Sequence, residues 1–371
     1  MISRRDLLAT AAAAALGGGT SVRHLGARGD GATDDTAALQ AALRAGGAVY
    51  LPPGDYVVTA PLVADADRPL ELAGAGAAST IRWGFDGDLL RWDGRCRGVT
   101  IRDLRIVPAA HISPGSTAVL CTAGCERTTF QNLLLEGAGS GFLLRGFTQM
   151  VSFVNCLLVG VTGTGIELGH GNEVRVIGGR IVGADPPGRG RIGLHLTGDN
   201  GGVHIVETDL ISHAEGCRIE NLGAGSNREV FVTHATFDSC ARGLVVADAS
   251  YVSVAGLWAA SCDRDNVWIG DGAPLVVVNG GTIFNGAGNG MTVRSGSFVL
   301  HGVAVRANRG HGLDVADAVR DHVVTGCRFT ENGVGAIVRG RGYVCANNVY
   351  AHNHAPSRFL GRGRVSGNVG A

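Results

Sequence analysis

Four residues spaced at repeating intervals bring acid, base and cation chemistry: Glu167, His195, Arg218 and Glu220. Two carboxyls about 5–9 Å apart can act as acid and base in cleaving a glycosidic bond. A histidine base flanked by arginines suits another reaction, removal of the proton α to a uronate carboxylate, because the cations stabilise the enolate. Arg145 precedes the group and adds a cation; Trp268 follows it with a ring face on which a sugar could stack. The expectation is a catalytic group of Glu167, His195, Arg218 and Glu220, with Arg145 and Trp268 as substrate contacts and neither metal nor cofactor. The plainer alternative is that opposite charges merely pair on a sheet surface, as expected for Arg180 and Asp209.

A repeat of fixed period would bring residues so far apart in the chain onto one face. Glycine is 60 of 371 residues, apolar residues are 45% and charged residues only 17%, too apolar for disorder and too glycine-rich for a helical bundle. The segment Gly-apolar-x-apolar recurs at Gly141, Gly165, Gly193, Gly216, Gly243, Gly290, Gly312 and Gly335, with Asn266 filling one gap. Glycine and asparagine tolerate a left-handed backbone, so this column is expected to be a turn. A second frame starts at Val99, Thr128, Val151, Val174, Val203, Val230, Val252, Val276, Phe298, His322 and Tyr343. Its fifth residue is usually Gly, Asn or Asp, which reads as strand, one-residue bend, strand. Three short strands per repeat predict an all-β fold, a parallel β-helix with three sheets and about 11–12 coils. In that frame Glu167, His195, Arg218 and Trp268 share one outward column, and Arg145 and Glu220 share the next.

Residues 61–355 are expected to hold the coils, 21–60 an N-terminal cap and 356–371 a tail, in one domain over 21–371. Thr33-Asp34-Asp35-Thr36 before Ala37–Leu43 reads as a short helix with acidic residues at its positive end, covering the first coil. Residues 1–20 read as an export signal of the twin-arginine kind, from Ser3-Arg4-Arg5-Asp6-Leu7-Leu8 and the apolar run to Leu16. Export would place the chain in the periplasm or outside the cell; the alternative is a component of a phage-like particle. The balance of 32 basic and 32 acidic residues, every base an arginine, argues against nucleic acid. No apolar run is long enough for membrane insertion. The nine cysteines include Cys156, Cys217, Cys327 and Cys345 at inward positions, and Cys240 with Cys262 at equivalent positions, where they would stack or bridge. No C-x-x-C pair is present, so a zinc site is not expected.

Val22-Arg23-His24-Leu25-Gly26-Ala27-Arg28-Gly29-Asp30-Gly31-Ala32-Thr33-Asp34-Asp35-Thr36-Ala37-Ala38-Leu39-Gln40, continued by Val49-Tyr50-Leu51-Pro52-Pro53-Gly54-Asp55-Tyr56, resembles the N-terminal signature of the pectate-lyase-like superfamily. That superfamily includes polygalacturonase-related proteins and phage tailspikes. The resemblance implies a right-handed β-helix that takes a polysaccharide along its side, as a homotrimer in the tailspike branch. It also implies that Asp30, Asp34 and Asp35 are capping residues. Gly169-His170-Gly171 and Gly310-His311-Gly312 match one polygalacturonase motif without the others, and a chain lacking lysine has no R-I-K motif. The function expected is therefore polysaccharide cleavage, by lyase or hydrolase chemistry, or else binding without cleavage as in a fibre or spike.

Overall fold

The computed structural model describes residues 19–109, 112–184, 190–223 and 227–370. The proposed export signal falls almost wholly outside the described residues. Strands dominate, with one α-helix, in the architecture of a right-handed parallel β-helix. The chain groups into two compact units, up to Ile166 and from Glu167 onward.

In the first unit three ladders run in parallel. One links Thr20–Ser21 to Gly47–Tyr50, then to the start of Leu70–Trp83 and on to Val99–Pro108. The second links Gly54–Val58, the end of Leu70–Trp83, Val99–Pro108 and Leu134–Glu136. The third links Leu62–Ala64, Leu90–Trp92, Thr117–Cys121 and Ser140–Val154. Paired strands therefore begin ahead of residue 61, at Thr20, Gly47 and Gly54, and run through the stretch expected to be a cap. Their apolar alternation is too short to stand out from sequence.

Helix α1, Thr36–Ala45, lies where expected and buries Ala38, Leu39, Ala42 and Leu43. Asp35 does not cap it with its side chain. Its buried carboxylate accepts the backbone N–H groups of Arg28 (2.7 Å) and Gly29 (2.9 Å). Asp30 and Asp34 likewise accept backbone N–H groups of Thr33 and Thr36. The acidic cluster thus fastens the turn that leads into α1.

In the second unit the sheet that matters most stacks Gly190–Leu196, His213–Ile219, Arg242–Asp248, Val267–Gly272, Met291–Val293, His311–Val315 and Val334–Val338. The tail expected after residue 355 continues it: Ile337 pairs with Arg358, and Cys345 with Val365 on a neighbouring ladder.

The second sequence frame is realised at every repeat. All eleven of its bend residues, from Asp103 to Asn347, have φ between 50° and 68°. His234 and Glu207 adopt this conformation too, the glutamate although it does not favour it, because the stacked neighbours impose the bend. The first frame is realised for a different reason from the one expected. None of its eight glycines adopts the left-handed backbone. They sit where coils approach closely: an added Cβ would lie 2.5 Å from the Gly216 carbonyl oxygen at Gly193 and 2.6 Å from that of Gly335 at Gly312. Asn266 replaces glycine there because its buried amide is used, accepting the Cys262 N–H (3.1 Å) and donating to the Phe284 carbonyl (3.2 Å).

Inside, Phe298, His322 and Tyr343 stack coil on coil, with centroids 4.9 Å and 5.4 Å apart. An amide ladder runs Asn308 to Asn332 to Asn353, with Nδ2–Oδ1 distances of 2.9 Å and 3.2 Å. All nine cysteines are buried free thiols, so Cys240 and Cys262 are not bridged.

Candidate functional site

Strand register places the expected column as the repeat implied. His195 pairs with Arg218, Arg218 with Val245, Val245 with Trp268 and Trp268 with Thr292. Outward-facing does not mean exposed, however: Val245 and Thr292 are buried. Side chains from the strand starts and the turns before them fold over this column. Arg242 spans the Trp268 ring at 5.5 Å, and the Thr292 hydroxyl donates to Asp265 (2.6 Å).

His195, Arg218 and Glu220 form one bonded group. Nε2 of His195 lies 2.7 Å from Glu220 Oε1, and Arg218 donates to the other Glu220 oxygen at 2.6 Å. Both carboxylate oxygens of Glu220 are thus engaged. The second guanidinium nitrogen of Arg218 bonds Glu215 at 2.8 Å. Arg242 continues the chain of charges, 3.7 Å from Glu215 and 3.5 Å from Asp265. Burial alone would raise the Glu220 carboxyl, but the hydrogen bonds from Arg218 and His195 outweigh it and hold the group below the usual glutamate value. Bonding to Glu220, and beyond it to Glu215, raises Arg218 in turn, locking its charge.

The remaining expected residues stand as follows. Glu167 is half-buried one coil before His195, in the position fixed by the hydrogen bond from Thr197 N–H to the Leu168 carbonyl (3.0 Å). Arg145 is exposed on Ser140–Val154 in the first unit. Trp268 is half-buried, and Arg242 already covers one face of it. Glycine at 270 leaves room for the indole, since an added Cβ would come within 2.5 Å of the ring. Arg180 and Asp209 pair at 2.9 Å as expected. His170 and His311 lie in strands, not in turns.

Sequence reasoning missed a cleft of 330 Å³ beside this group, lined by Arg191, Ala214, Glu215, Ala241, Arg242 and Arg264 among others. Three arginines face one glutamate there, a formal surplus of +2. Glu215 joins cleft to column, because Arg218 holds it on the far side. These residues lie at the strand starts or just before them, ahead of the Gly-apolar-x-apolar segment that set the parity, which therefore could not flag them; the recurrence of charge at 191, 215, 242 and 264, about one interval apart, could have.

Comparison with known proteins bears on fold and on the N-terminal signature. Residues 19–88 match the family model described as rhamnogalacturonase A/epimerase, pectate lyase-like. Mannuronan C5-epimerase AlgE6 of Azotobacter vinelandii is 39% identical over 92 residues, a match that spans 21% of this chain and 10% of that protein's length. The solved A-module of the same enzyme superposes with a TM-score of 0.68 at 16% identity, covering 95% of this chain and 99% of the module. The catalytic unit of a GH87 α-1,3-glucanase from Streptomyces thermodiastaticus gives 0.62 at 16% identity, covering 95% of this chain and 70% of that one. The Dettilon tailspike protein gives 0.59 at 13% identity, covering 94% and 68%. At these identities the solved structures establish the fold.

Proposed function

We propose that this pectate-lyase-like β-helix acts on a uronate-bearing polysaccharide by removing the proton on the carbon next to the sugar carboxylate. The observation that carries the reading is the His195–Glu220–Arg218 group beside an arginine-lined cleft. Glu220 accepts the Nε2 proton of His195, which leaves Nδ1 as the basic atom. When His195 takes up the substrate proton, Glu220 stabilises the imidazolium. Arg242, Arg191 and Arg264 supply planar donors that match a carboxylate, and their charge offsets the enolate that forms. Expulsion of the 4-linked oxygen, which takes up the proton carried by the His195 imidazolium, then gives lyase chemistry; return of a proton from water to the opposite face gives epimerisation. The chain's similarity to a protein named mannuronan C5-epimerase supports this class. Hydrolase chemistry fits less well, since a general acid needs a raised carboxyl and Glu220 is lowered.

A second reading has its own observation. His195, Glu220, Arg218 and Glu215 satisfy one another, and Arg242 caps Trp268, as in a face that holds a glycan without cutting it. The tailspike among the structural neighbours is in keeping with that alternative, in which a homotrimer would carry the face. On either reading the site of action is the periplasm, the cell exterior or a phage-like particle.

The test is to incubate the purified full chain with neutral polysaccharides, polymannuronate and polygalacturonate, following unsaturated product, C5 configuration and reducing ends. Unsaturation or inversion on a polyuronate is expected, with His195→Ala and Glu220→Gln each reducing it at least ~100-fold. Reducing ends without unsaturation would point to hydrolysis. Retention of a polymer without any reaction would leave the binding reading in its place.

A further inference from the structure

The first unit contains a cluster that the proposed function does not use. Cys96, Cys121 and Cys125 are fully buried, and their sulfur atoms all lie within 4.8 Å of one another. The fold assembles them from two coils. Cys125 sits directly on Cys96 in the ladder, and Cys121 ends the strand Thr117–Cys121 just before the same corner. Gly124 makes that corner with φ of 123°, and an added Cβ there would lie 2.5 Å from the Phe147 carbonyl oxygen. The turn is therefore restricted to glycine, and both flanking cysteines point to one place. Thr128, also fully buried, puts its hydroxyl 3.5 Å from the Cys96 sulfur.

Three sulfurs around one ion at metal–sulfur distances of about 2.3 Å would stand roughly 4 Å apart. The cluster reaches that geometry with inward shifts of under about 1 Å, within rotamer adjustment. Among the described residues no histidine or carboxylate completes a fourth position. The three side chains are closed to bulk solvent. Zinc structural sites are almost always four-coordinate, whereas soft thiolate ligands select ions such as Cu(I).

We propose that Cys96, Cys121 and Cys125 form a three-sulfur site for a soft d10 cation with the chemistry of Cu(I). The ion enters as the first unit folds, because the finished corner is closed. Each thiol that binds it releases its proton to solvent.

The experiment refolds the full chain under anaerobic, reducing conditions with Cu(I) supplied as a weak complex, or with Zn(II), followed by gel filtration and metal analysis. About one copper per chain is expected, with sulfur-to-copper charge-transfer absorbance, and no stoichiometric zinc. Cys121→Ser and Cys125→Ala, checked for folding by circular dichroism, should each lower copper at least tenfold, while Cys217→Ser should not. X-ray absorption of the wild-type chain supplies a readout that needs no variant and should show three sulfur neighbours. Absence of bound copper, copper retained in the Cys121 and Cys125 variants, stoichiometric zinc instead, or another ligand shell would each overturn the proposal. So would a titration in denaturant that finds seven free thiols rather than nine, since that would mean a bridge.

Discussion

His322 lies between Phe298 and Tyr343 in the stacked core, fully buried, with neither ring nitrogen bonded. Burial lowers its pKa to about 4 from the ordinary 6.5, Asp321 opposing the shift only in part. The unfolded chain therefore binds a proton on this residue between about pH 6.5 and 4 that the folded chain does not. Stability rises with pH through that window and is lost as pH falls. At pH 5 an unfolded pKa of 6.5 against a folded value near 4 costs about 2 kcal/mol, and far below pH 4 about 3.4 kcal/mol. His322→Phe removes the cost, and a Phe ring suits a position whose neighbours above and below are aromatic. It also removes a buried N–H that has no acceptor, a gain of about 1–3 kcal/mol at any pH. Denaturant unfolding of both proteins at pH 8 and pH 5 is the assay. The variant should be the more stable at both, its advantage growing by about 2 kcal/mol at the lower pH. An advantage that stays the same at the two pH values would refute the reasoning.

Two further predictions concern the coils. Gly312→Ala pushes a Cβ to 2.6 Å from the Gly335 carbonyl oxygen, whereas Gly302→Ala meets nothing within 4 Å and suffers only from its φ of 63°. The first should lower stability by about 2–4 kcal/mol and the second by about 1–2 kcal/mol, and equal melting temperatures would contradict this. Asn332→Leu cuts the amide ladder: the Asn308 backbone N–H (3.1 Å) and Nδ2 (2.9 Å) lose their acceptor on residue 332, Asn353 Oδ1 loses one of its donors, and the Val305 carbonyl loses its donor (3.0 Å). A loss of about 3–5 kcal/mol is expected in denaturant unfolding, and a change below about 1 kcal/mol would show the ladder to be incidental.

Much of the coil geometry was legible because the bend demands a backbone that few residues prefer. Asp103, Asn132 and Gly178 announce it, and once the period is known Glu207 and His234 are placed by position alone. The glycine column was visible for the same reason but misread, since recurrence of glycine does not distinguish a left-handed turn from a close approach. Gly193 and Gly312 need the second. At the site, parity along the strand located His195, Arg218 and Trp268, because side chains alternate on a pleated strand. It could not show that Arg218 reaches back to Glu215 or that Arg242 lies over Trp268, as long side chains choose their partners by rotamer. The thiol cluster was hidden for a related reason. Metal motifs are sought among near neighbours in sequence, while Cys96 meets Cys125 by stacking across a coil.

The central claim is that His195, oriented by Glu220, removes a proton from C5 of a uronate. Treating polymannuronate and polygalacturonate with the protein in heavy water, followed by NMR of the recovered polymer and its fragments, tests it most directly. Deuterium at C5, or a C4–C5 double bond where the leaving group departs, is expected with the wild-type chain and should fall at least ~100-fold in His195→Ala. Chain cleavage with protium retained at C5 and no double bond, or full exchange in His195→Ala, would contradict it.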